Sequence, residues 1–247
     1  MRVFSLVVTR NEADRYFEAC LSHLSRFSQI FVYDDQSTDQ TREIADRWGA
    51  RIHLRGESVP QFIEDEGEFR NNSWKIFQEA MEPNEDDWIL INDADEFLVG
   101  GNVLHILRET KTTEITLRIP EIFSGSLDPS TNRYINPQIR VDHFWNQNAH
   151  PRLFRYREGL FFADRNMGCG TQPQQIKKSS AHETLSLLHL GYMDKRDRLD
   201  RFNRYKDLPG HSKQHINSII EQPRLAKWEE EWPSVWRGAD EKGGYFL

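Results

Sequence analysis

Residues 88–97 read Trp-Ile-Leu-Ile-Asn-Asp-Ala-Asp-Glu-Phe, a short apolar run that leads directly into two aspartates. Such a run is typical of a strand that is buried on both faces. Asp93 and Asp95 are two positions apart, so their side chains point to the same side if the chain is extended there. Two carboxylates held together repel each other, and Mg²⁺ or Mn²⁺ is their natural partner. The stretch predicts a metal site at a strand end; the alternative is a turn in which an aspartate caps the next helix.

The first hundred residues alternate between strand and helix patterns. Apolar runs predict strands at residues 4–9, 29–33, 50–54 and 88–91, and helical apolar spacing predicts helices at 17–27, 37–49 and 68–81, the second capped by Ser37. This alternation predicts an α/β fold, with a mostly parallel sheet flanked by helices. In such sheets ligands bind beyond the carboxyl ends of the strands. That crevice is expected to gather polar residues that follow three strands: Thr9 with Asn11, Asp35, and Asp93 with Asp95.

Composition excludes several classes of protein. The chain has 247 residues, 37% of them hydrophobic, and a net charge of −7. No apolar run approaches the roughly 20 residues of a membrane span, and the start lacks the layout of a signal peptide. Cys20 and Cys169 are too few for a disulfide framework, so a soluble cytoplasmic protein is expected. Neither G-x-G-x-x-G after the first strand nor the P-loop pattern occurs, which argues against the usual dinucleotide and P-loop sites.

Charge is unevenly distributed along the chain. Residues 57–100 hold 13 acids and 2 bases, whereas residues 133–213 hold 15 bases and 8 acids, a local charge of 15 − 8 = +7. One interpretation is ordinary solvated helix faces. The other is a cleft with an acidic, metal-binding wall and a basic wall for phosphates or an anionic acceptor. Arg152 and Arg155 are the candidates for that basic wall, and a half-buried strand is the alternative for their segment.

Several motifs in fixed order resemble those of a known family. They are V-V-T-R-N-E, F-V-Y-D-D-Q-S-T-D-Q-T, F-R-N-N, I-N-D-A-D-E-F, P-R-L-F-R and H-L-G-Y, across residues 1–206. Together they resemble a family 2 glycosyltransferase of the GT-A fold. The resemblance implies transfer of a hexosyl or pentosyl group from a nucleotide sugar, expected to be uridine-linked, to a hydroxyl acceptor. It also implies inversion and a Mn²⁺ or Mg²⁺ cofactor.

The resemblance also implies roles for individual residues. Thr9 and Asp35 would contact the donor base or ribose, and Arg70 would face the base or diphosphate. Asp93 would contact the ribose or the metal, Asp95 would bind the metal, and His189 would be a third metal ligand. Without the resemblance, His189 is better read as a histidine packed at a strand end.

The general base is the point at which the sequence departs from the family. The usual acidic pair after the Arg-Leu-Phe-Arg strand is missing, and Asp164 and Glu183 are the nearest candidates. For either residue a surface ion pair is the alternative. The acceptor is open: a glycan, a small molecule or a modified DNA base. A nucleotidyltransferase and a nucleic-acid-binding module are the competing functions.

The remaining segments complete the predicted organisation. Residues 124–137 are rich in turn formers and predict a loop between two parts of the fold. Apolar spacing predicts helices at 195–207, 211–222 and 224–231. Residues 1–193 are therefore expected to form the nucleotide-sugar and acceptor domain, and residues 194–247 a helical extension packed on it.

Overall fold

The protein was analysed as a computed structural model that describes residues 1–54, 65–128, 133–140, 149–163, 172–206, 217, 219 and 225–227. In chain order the elements are β1 (Val3–Thr9), α1 (Phe17–Leu24), β2 (Gln29–Asp34), α2 (Thr41–Arg47), β3 (Arg51–Leu54), α3 (Glu66–Met81), β4 (Trp88–Asp93), β5 (Glu96–Val99), α4 (Val103–Glu109), β6 (Glu114–Arg118), β7 (Ile122–Asp128), β8 (Arg133–Arg140), β9 (Ala149–Arg155), β10 (Ala181–His189), α5 (Lys195–Tyr205) and β11 (Leu225–Lys227). None of the helices in these ranges is long and apolar enough to span a membrane.

Backbone contacts divide the chain into two compact units. The first comprises Met1–Asp95, Val103–Leu117 and His150–Ala181, and the second comprises Glu96–Asn102, Arg118–Ala149 and His182–Leu247. The second unit contains α5 and β11 together with β7 and β8.

The first unit is built on strands in the order β3-β2-β1-β4-β9-β6. The pairs β3–β2, β2–β1 and β1–β4 are parallel, and β9 runs antiparallel to β4. The four strands predicted in this region are confirmed, each within one or two residues. So is the α/β class, because buried apolar runs alternate with helices throughout residues 1–93.

Helices cover both faces of these strands. Phe69, Trp74 and Phe77 of α3 belong to one buried cluster with apolar side chains of the strands, Ile91 among them. Side chains alternate along a strand, so Asn92 points to the opposite face, where its amide nitrogen lies 3.4 Å from the Cys20 sulfur of α1.

The start of α2 differs from the predicted capping box. The N-cap position is Gln40, which makes no side-chain cap, and the Ser37 hydroxyl instead donates to Asp34. Asp39 takes over the capping task, accepting hydrogen bonds from the Thr41 backbone nitrogen at 3.0 Å and from its hydroxyl at 2.6 Å. The predicted cap was therefore wrong, because Ser37 is used to order the preceding loop.

The second unit contains two sets of paired strands. β5 pairs antiparallel with β10, and β8 pairs antiparallel with β7 and β11. The loop predicted at residues 124–137 was wrong, since most of that segment forms β7 and β8. The helix predicted at 224–231 was also wrong at its start, where Leu225–Lys227 form β11. The helix predicted at 195–207 is confirmed as α5.

Candidate active site

Three strand ends meet at one edge of the first unit. Thr9 at the end of β1 is in register with Asp34 on β2, and its neighbour Val8 is in register with Asp93 on β4. The Asp35 backbone nitrogen donates to the Thr9 carbonyl oxygen at 2.9 Å. The structure thus places Thr9, Asp35 and Asp93 side by side, as the polar strand ends predicted.

The Thr9 side chain is 5% exposed, and its hydroxyl has no hydrogen-bond partner within the described residues. A buried hydroxyl without a partner is costly, by about 1–3 kcal/mol, so a ligand that supplied a partner would recover that free energy. Thr9 is therefore positioned to contact a bound molecule at this edge.

Asp34 and Asp35 are adjacent but differ in their surroundings. Asp34 accepts hydrogen bonds from the Ser37 nitrogen at 3.0 Å and the Arg42 Nε at 2.9 Å, so its carboxylate orders the following loop. Asp35 is 1% exposed and follows the last residue of β2. Asp34 therefore has a structural task in the loop, and Asp35 is a buried carboxylate at the end of β2.

The loops after β1 and β2 are fastened to each other. The Asn11 Oδ1 accepts from the Thr38 nitrogen at 2.7 Å, and the Asn11 nitrogen donates to the Ser37 hydroxyl at 2.9 Å. Asn11 and Gln36 both have positive φ, 53° and 62°, which non-glycine residues rarely adopt. Such backbone strain clusters at functional sites. The Asn11 side-chain oxygen serves the loop, so its predicted substrate contact would have to come from elsewhere on the residue.

Asp93 and Asp95 lie where β4 turns into β5. Asp93 ends β4, Ala94 and Asp95 form the turn, and β5 begins at Glu96. The chain is therefore not extended from Asp93 to Asp95, and the turn of the alternative interpretation is present, but it is followed by a strand rather than by a helix to be capped. The Asp93 side chain is 34% exposed and the Asp95 side chain 7%, so Asp93 is the more accessible carboxylate.

Each of these aspartates faces an arginine. Arg152 Nη2 lies 3.7 Å from Asp93 Oδ2, and Arg15 Nη2 lies 3.8 Å from Asp95 Oδ2. Sequence reasoning assigned Arg152 to the basic wall of the same cleft and did not identify Arg15. The only available signal for Arg15 was its place in the loop after β1, three residues beyond Glu12.

The described residues contain no group of three or more His, Cys, Asp or Glu side chains able to hold a metal. Mg²⁺ and Mn²⁺ sites that serve phosphate chemistry need only one or two protein carboxylates, completed by substrate oxygens and water. The exposed Asp93 carboxylate fits that limited requirement. The neighbouring guanidinium groups oppose a cation that arrives without an anionic ligand.

Arg152 and Arg155, the candidates for the basic wall, lie at different ends of β4. Arg152 is 3% exposed, and its Nη1 donates to the Ile91 carbonyl at 3.4 Å. Arg155 is in register with Trp88 at the start of β4, where its guanidinium lies 5.0 Å from the centre of the indole ring. Arg152 therefore belongs to the strand-end site, whereas Arg155 lies at the opposite end of β4.

His150 precedes Arg152 on β9. Burial lowers its pKa to about 4, and the positive charges of Arg152 and Lys178 add to the effect. His150 is therefore neutral near pH 7, and Arg152 carries a positive charge at this end of β9.

Arg70 lies in the second turn of α3. The ring of the preceding Phe69 packs edge-on against Tyr33 with centroids 5.2 Å apart, which places this turn beside the carboxyl half of β2. Arg70 is 3% exposed, and its Nε donates to Glu66 Oε1 at 2.9 Å. Its predicted contact with the base or diphosphate stays a prediction.

His189 belongs to the second unit. Its Nδ1 lies 2.7 Å from Glu121 Oε2, and its Nε2 lies 3.3 Å from Arg201 Nη2. Arginine only donates, so Nε2 accepts in the contact with Arg201. A carboxylate behind one nitrogen is how metal-binding histidines are oriented, but here Arg201 lies at the other nitrogen.

The two candidates for the general base have different outcomes. Asp164 lies outside the described residues. Glu183 is exposed near the start of β10, six residues before His189, which corresponds to roughly 20 Å along a strand. Glu183 and His189 therefore cannot both serve one reacting centre.

Part of this chain is similar in sequence to proteins named as glycosyltransferases. The chain is 28% identical over 153 residues to a Rickettsia felis protein named "Uncharacterized glycosyltransferase". The match covers 62% of this chain and 44% of that protein, so it spans less than half the length of the relative. No family model matches the chain.

Solved structures of glycosyltransferases are also similar to this chain. S. aureus TarS in complex with UDP is 16% identical to this chain, with a TM-score of 0.45. The superposition covers 89% of this chain and 70% of the TarS chain. Glucosyl-3-phosphoglycerate synthase from Mycobacterium tuberculosis, in complex with Mn²⁺, UDP and glucosyl-3-phosphoglycerate, is 17% identical, with a TM-score of 0.32. That superposition covers 49% of this chain and 44% of the synthase chain. Similarity at these TM-scores does not establish a shared activity.

Proposed function

We propose that this chain is a glycosyltransferase that binds a nucleotide-sugar donor at the carboxyl ends of β1, β2 and β4. The observation that carries the proposal is the placement of Thr9, Asp35 and Asp93 side by side at that edge. The name of the Rickettsia relative supports the same activity.

Asp35 and Thr9 are assigned to the nucleoside of the donor, which we expect to be uridine. A carboxylate accepts hydrogen bonds from a base imide or a ribose hydroxyl, and such charge-assisted bonds are the stronger ones. The Thr9 hydroxyl is buried and has no hydrogen-bond partner in the described part of the chain, so a bond to the base or ribose would satisfy it.

Arg152 and Arg70 are assigned to the diphosphate. Cleavage of the sugar–phosphate bond builds negative charge on the leaving group, and guanidinium groups in a buried site stabilise that charge. Arg152 lies beside Asp93, with its Nη2 3.7 Å from Oδ2. Arg70 would have to exchange its Glu66 partner for phosphate oxygens.

A Mn²⁺ or Mg²⁺ ion, when bound, supplies further positive charge to the leaving group. Asp93 and Asp95 are the residues of the first unit that would hold it. Asp93 is the better placed of the two, since 34% of its side chain is exposed against 7% of the Asp95 side chain.

The acceptor in this proposal is a hydroxyl group on a glycan, a small molecule or a modified base. Its deprotonation requires a base, with Asp164 as the candidate, and attack opposite to the leaving diphosphate would invert the anomeric centre. Binding to DNA receives no support from Arg152 and Arg155, because the first is buried and the second stacks on Trp88.

A thermal-shift screen of nucleotide sugars with and without Mn²⁺ tests the proposal, followed by an assay for nucleoside diphosphate release. A ligand that binds only the native state raises the melting temperature. We expect uridine diphosphate sugars to give the largest shift and to release uridine diphosphate slowly. Stabilisation by nucleoside triphosphates with release of pyrophosphate would instead identify a nucleotidyltransferase.

A further inference from the structure

Arg15 lies between two carboxylates of the proposed active site. Its Nη1 donates to Glu12 at 2.8 Å and 2.9 Å, and its Nη2 lies 3.8 Å from Asp95 Oδ2. The exposed fractions of the three side chains are 14% for Glu12, 21% for Arg15 and 7% for Asp95. The guanidinium is therefore shared in a partly dehydrated environment, where charges interact more strongly than in water.

The loop that carries Arg15 is held in place from the neighbouring loop. The Glu12 nitrogen donates to the Thr41 hydroxyl at 2.9 Å, and the Ala13 nitrogen donates to Asp39 at 3.1 Å. The Arg15 nitrogen donates to the Glu12 carbonyl at 3.2 Å. Arg15 is thus directed at Asp95 by an ordered backbone.

We propose that Arg15 is a built-in competitor for divalent cations, its guanidinium neutralising Asp95 and setting the cation affinity of the strand-end site. This inference rests on the proposed function, because it takes Asp93 and Asp95 as the cation-binding carboxylates. A cation at Asp95 is repelled by the positive charge of Arg15 at close range, whereas the negative charge of Glu12 offsets part of that repulsion. Arg15 and Glu12 therefore act on cation affinity in opposite directions.

The sign of the effect separates this role from a structural one. If Arg15 competes with the cation, Arg15→Met removes a repelling charge while keeping most of the side-chain length, and binding becomes tighter. If Arg15 is only a brace for Asp95, the same substitution releases the carboxylate and binding becomes weaker. Glu12→Gln removes the negative charge that competes with Asp95 for Arg15. The guanidinium then interacts more strongly with Asp95, so we expect the cation to bind more weakly.

The experiment is a titration of the full chain with Mn²⁺, followed by the electron paramagnetic resonance signal of the free ion. Wild type, Arg15→Met, Arg15→Lys and Glu12→Gln are compared, with Arg42→Met as the matched control. Arg42 is also an arginine paired with a strand-end carboxylate, Asp34, at 2.9 Å. We expect Arg15→Met to bind Mn²⁺ about tenfold more tightly, Arg15→Lys and Arg42→Met to resemble wild type, and Glu12→Gln to bind more weakly.

Weaker or unchanged binding by Arg15→Met would overturn the inference, as would the absence of Mn²⁺ binding in every variant. If Arg15→Met does not fold, as judged by circular dichroism, Glu12→Gln decides: weaker binding supports the inference and equal or tighter binding contradicts it. Because the readout is cation binding, failure of sugar transfer with the expected binding pattern would count against the proposed function and leave the role of Arg15 standing.

Discussion

The guanidinium of Arg152 approaches the carboxylate of Asp93, with Nη2 3.7 Å from Oδ2. Only 4% of the Arg152 side chain is exposed, against 34% of the Asp93 side chain. A buried cation behind an accessible carboxylate is suited to a ligand that carries both charges, such as a diphosphate with a divalent ion.

Arg152 and Arg155 form a natural matched pair, since they lie on the same strand at opposite ends of β4. We expect Arg152→Met to weaken uridine diphosphate binding by about tenfold or more, because a charge-assisted contact of about 1.5–3 kcal/mol is lost. Arg155→Met should leave that affinity unchanged. Isothermal titration calorimetry measures both, and an equal loss in the two variants would remove Arg152 from the site.

Substitutions of Asp35 and Asp34 distinguish a residue that binds the donor from one that stabilises the fold. Asp35→Ala should weaken uridine diphosphate binding by about 1.5–3 kcal/mol with little change in the unfolding midpoint. Asp34→Ala should mainly lower stability, because Ser37 and Arg42 lose their partner. Titration calorimetry and urea unfolding are both needed. Asp35 has no role in donor binding if its alanine variant binds as tightly as wild type.

Asn11 should reveal the strain in the loop after β1. Both Asn11→Gly and Asn11→Ala remove the bond to the Thr38 nitrogen, but glycine adopts a φ of 53° readily, whereas alanine keeps a Cβ in the left-handed region. We expect the alanine variant to be about 1 kcal/mol less stable than the glycine variant in urea unfolding. Equal stability of the two would show that the positive φ carries no strain.

His150 predicts a pH dependence of stability. Its folded pKa of about 4 lies below the ordinary value of 6.5, so the unfolded chain binds a proton more readily. Neutral His150 therefore contributes up to roughly 3 kcal/mol to the free energy of unfolding. This contribution is complete above about pH 6.5 and is lost as the pH falls toward about 4. His150→Gln should flatten the stability profile between about pH 7 and pH 4.5. An unchanged profile would contradict the buried, neutral histidine.

Strands β1 to β4, and the polar residues at their ends, could be predicted from the sequence because the signal is local. Apolar runs such as Trp88–Ile91 identify a buried strand, and parallel strands place their carboxyl ends at one edge. The juxtaposition of Thr9, Asp35 and Asp93 follows from those two facts.

The features that sequence reasoning missed depend on contacts between distant segments. Arg15 and Asp95 are eighty positions apart, and no local pattern pairs them. Arg155 looked equivalent to Arg152 until the register of β9 placed it opposite Trp88. Residues 124–137 are rich in turn formers and therefore predicted a loop. Strand pairing overrode this local propensity, and most of the segment forms β7 and β8.

The most direct test of the central claim is the rate at which uridine diphosphate is released from a uridine diphosphate sugar. Asp93→Asn is compared with Asp86→Asn, since these aspartates flank the two ends of β4. The account predicts release by wild type and Asp86→Asn, and a loss of most of the activity in Asp93→Asn with the fold retained. Undiminished release by Asp93→Asn would contradict a catalytic site at the carboxyl ends of these strands.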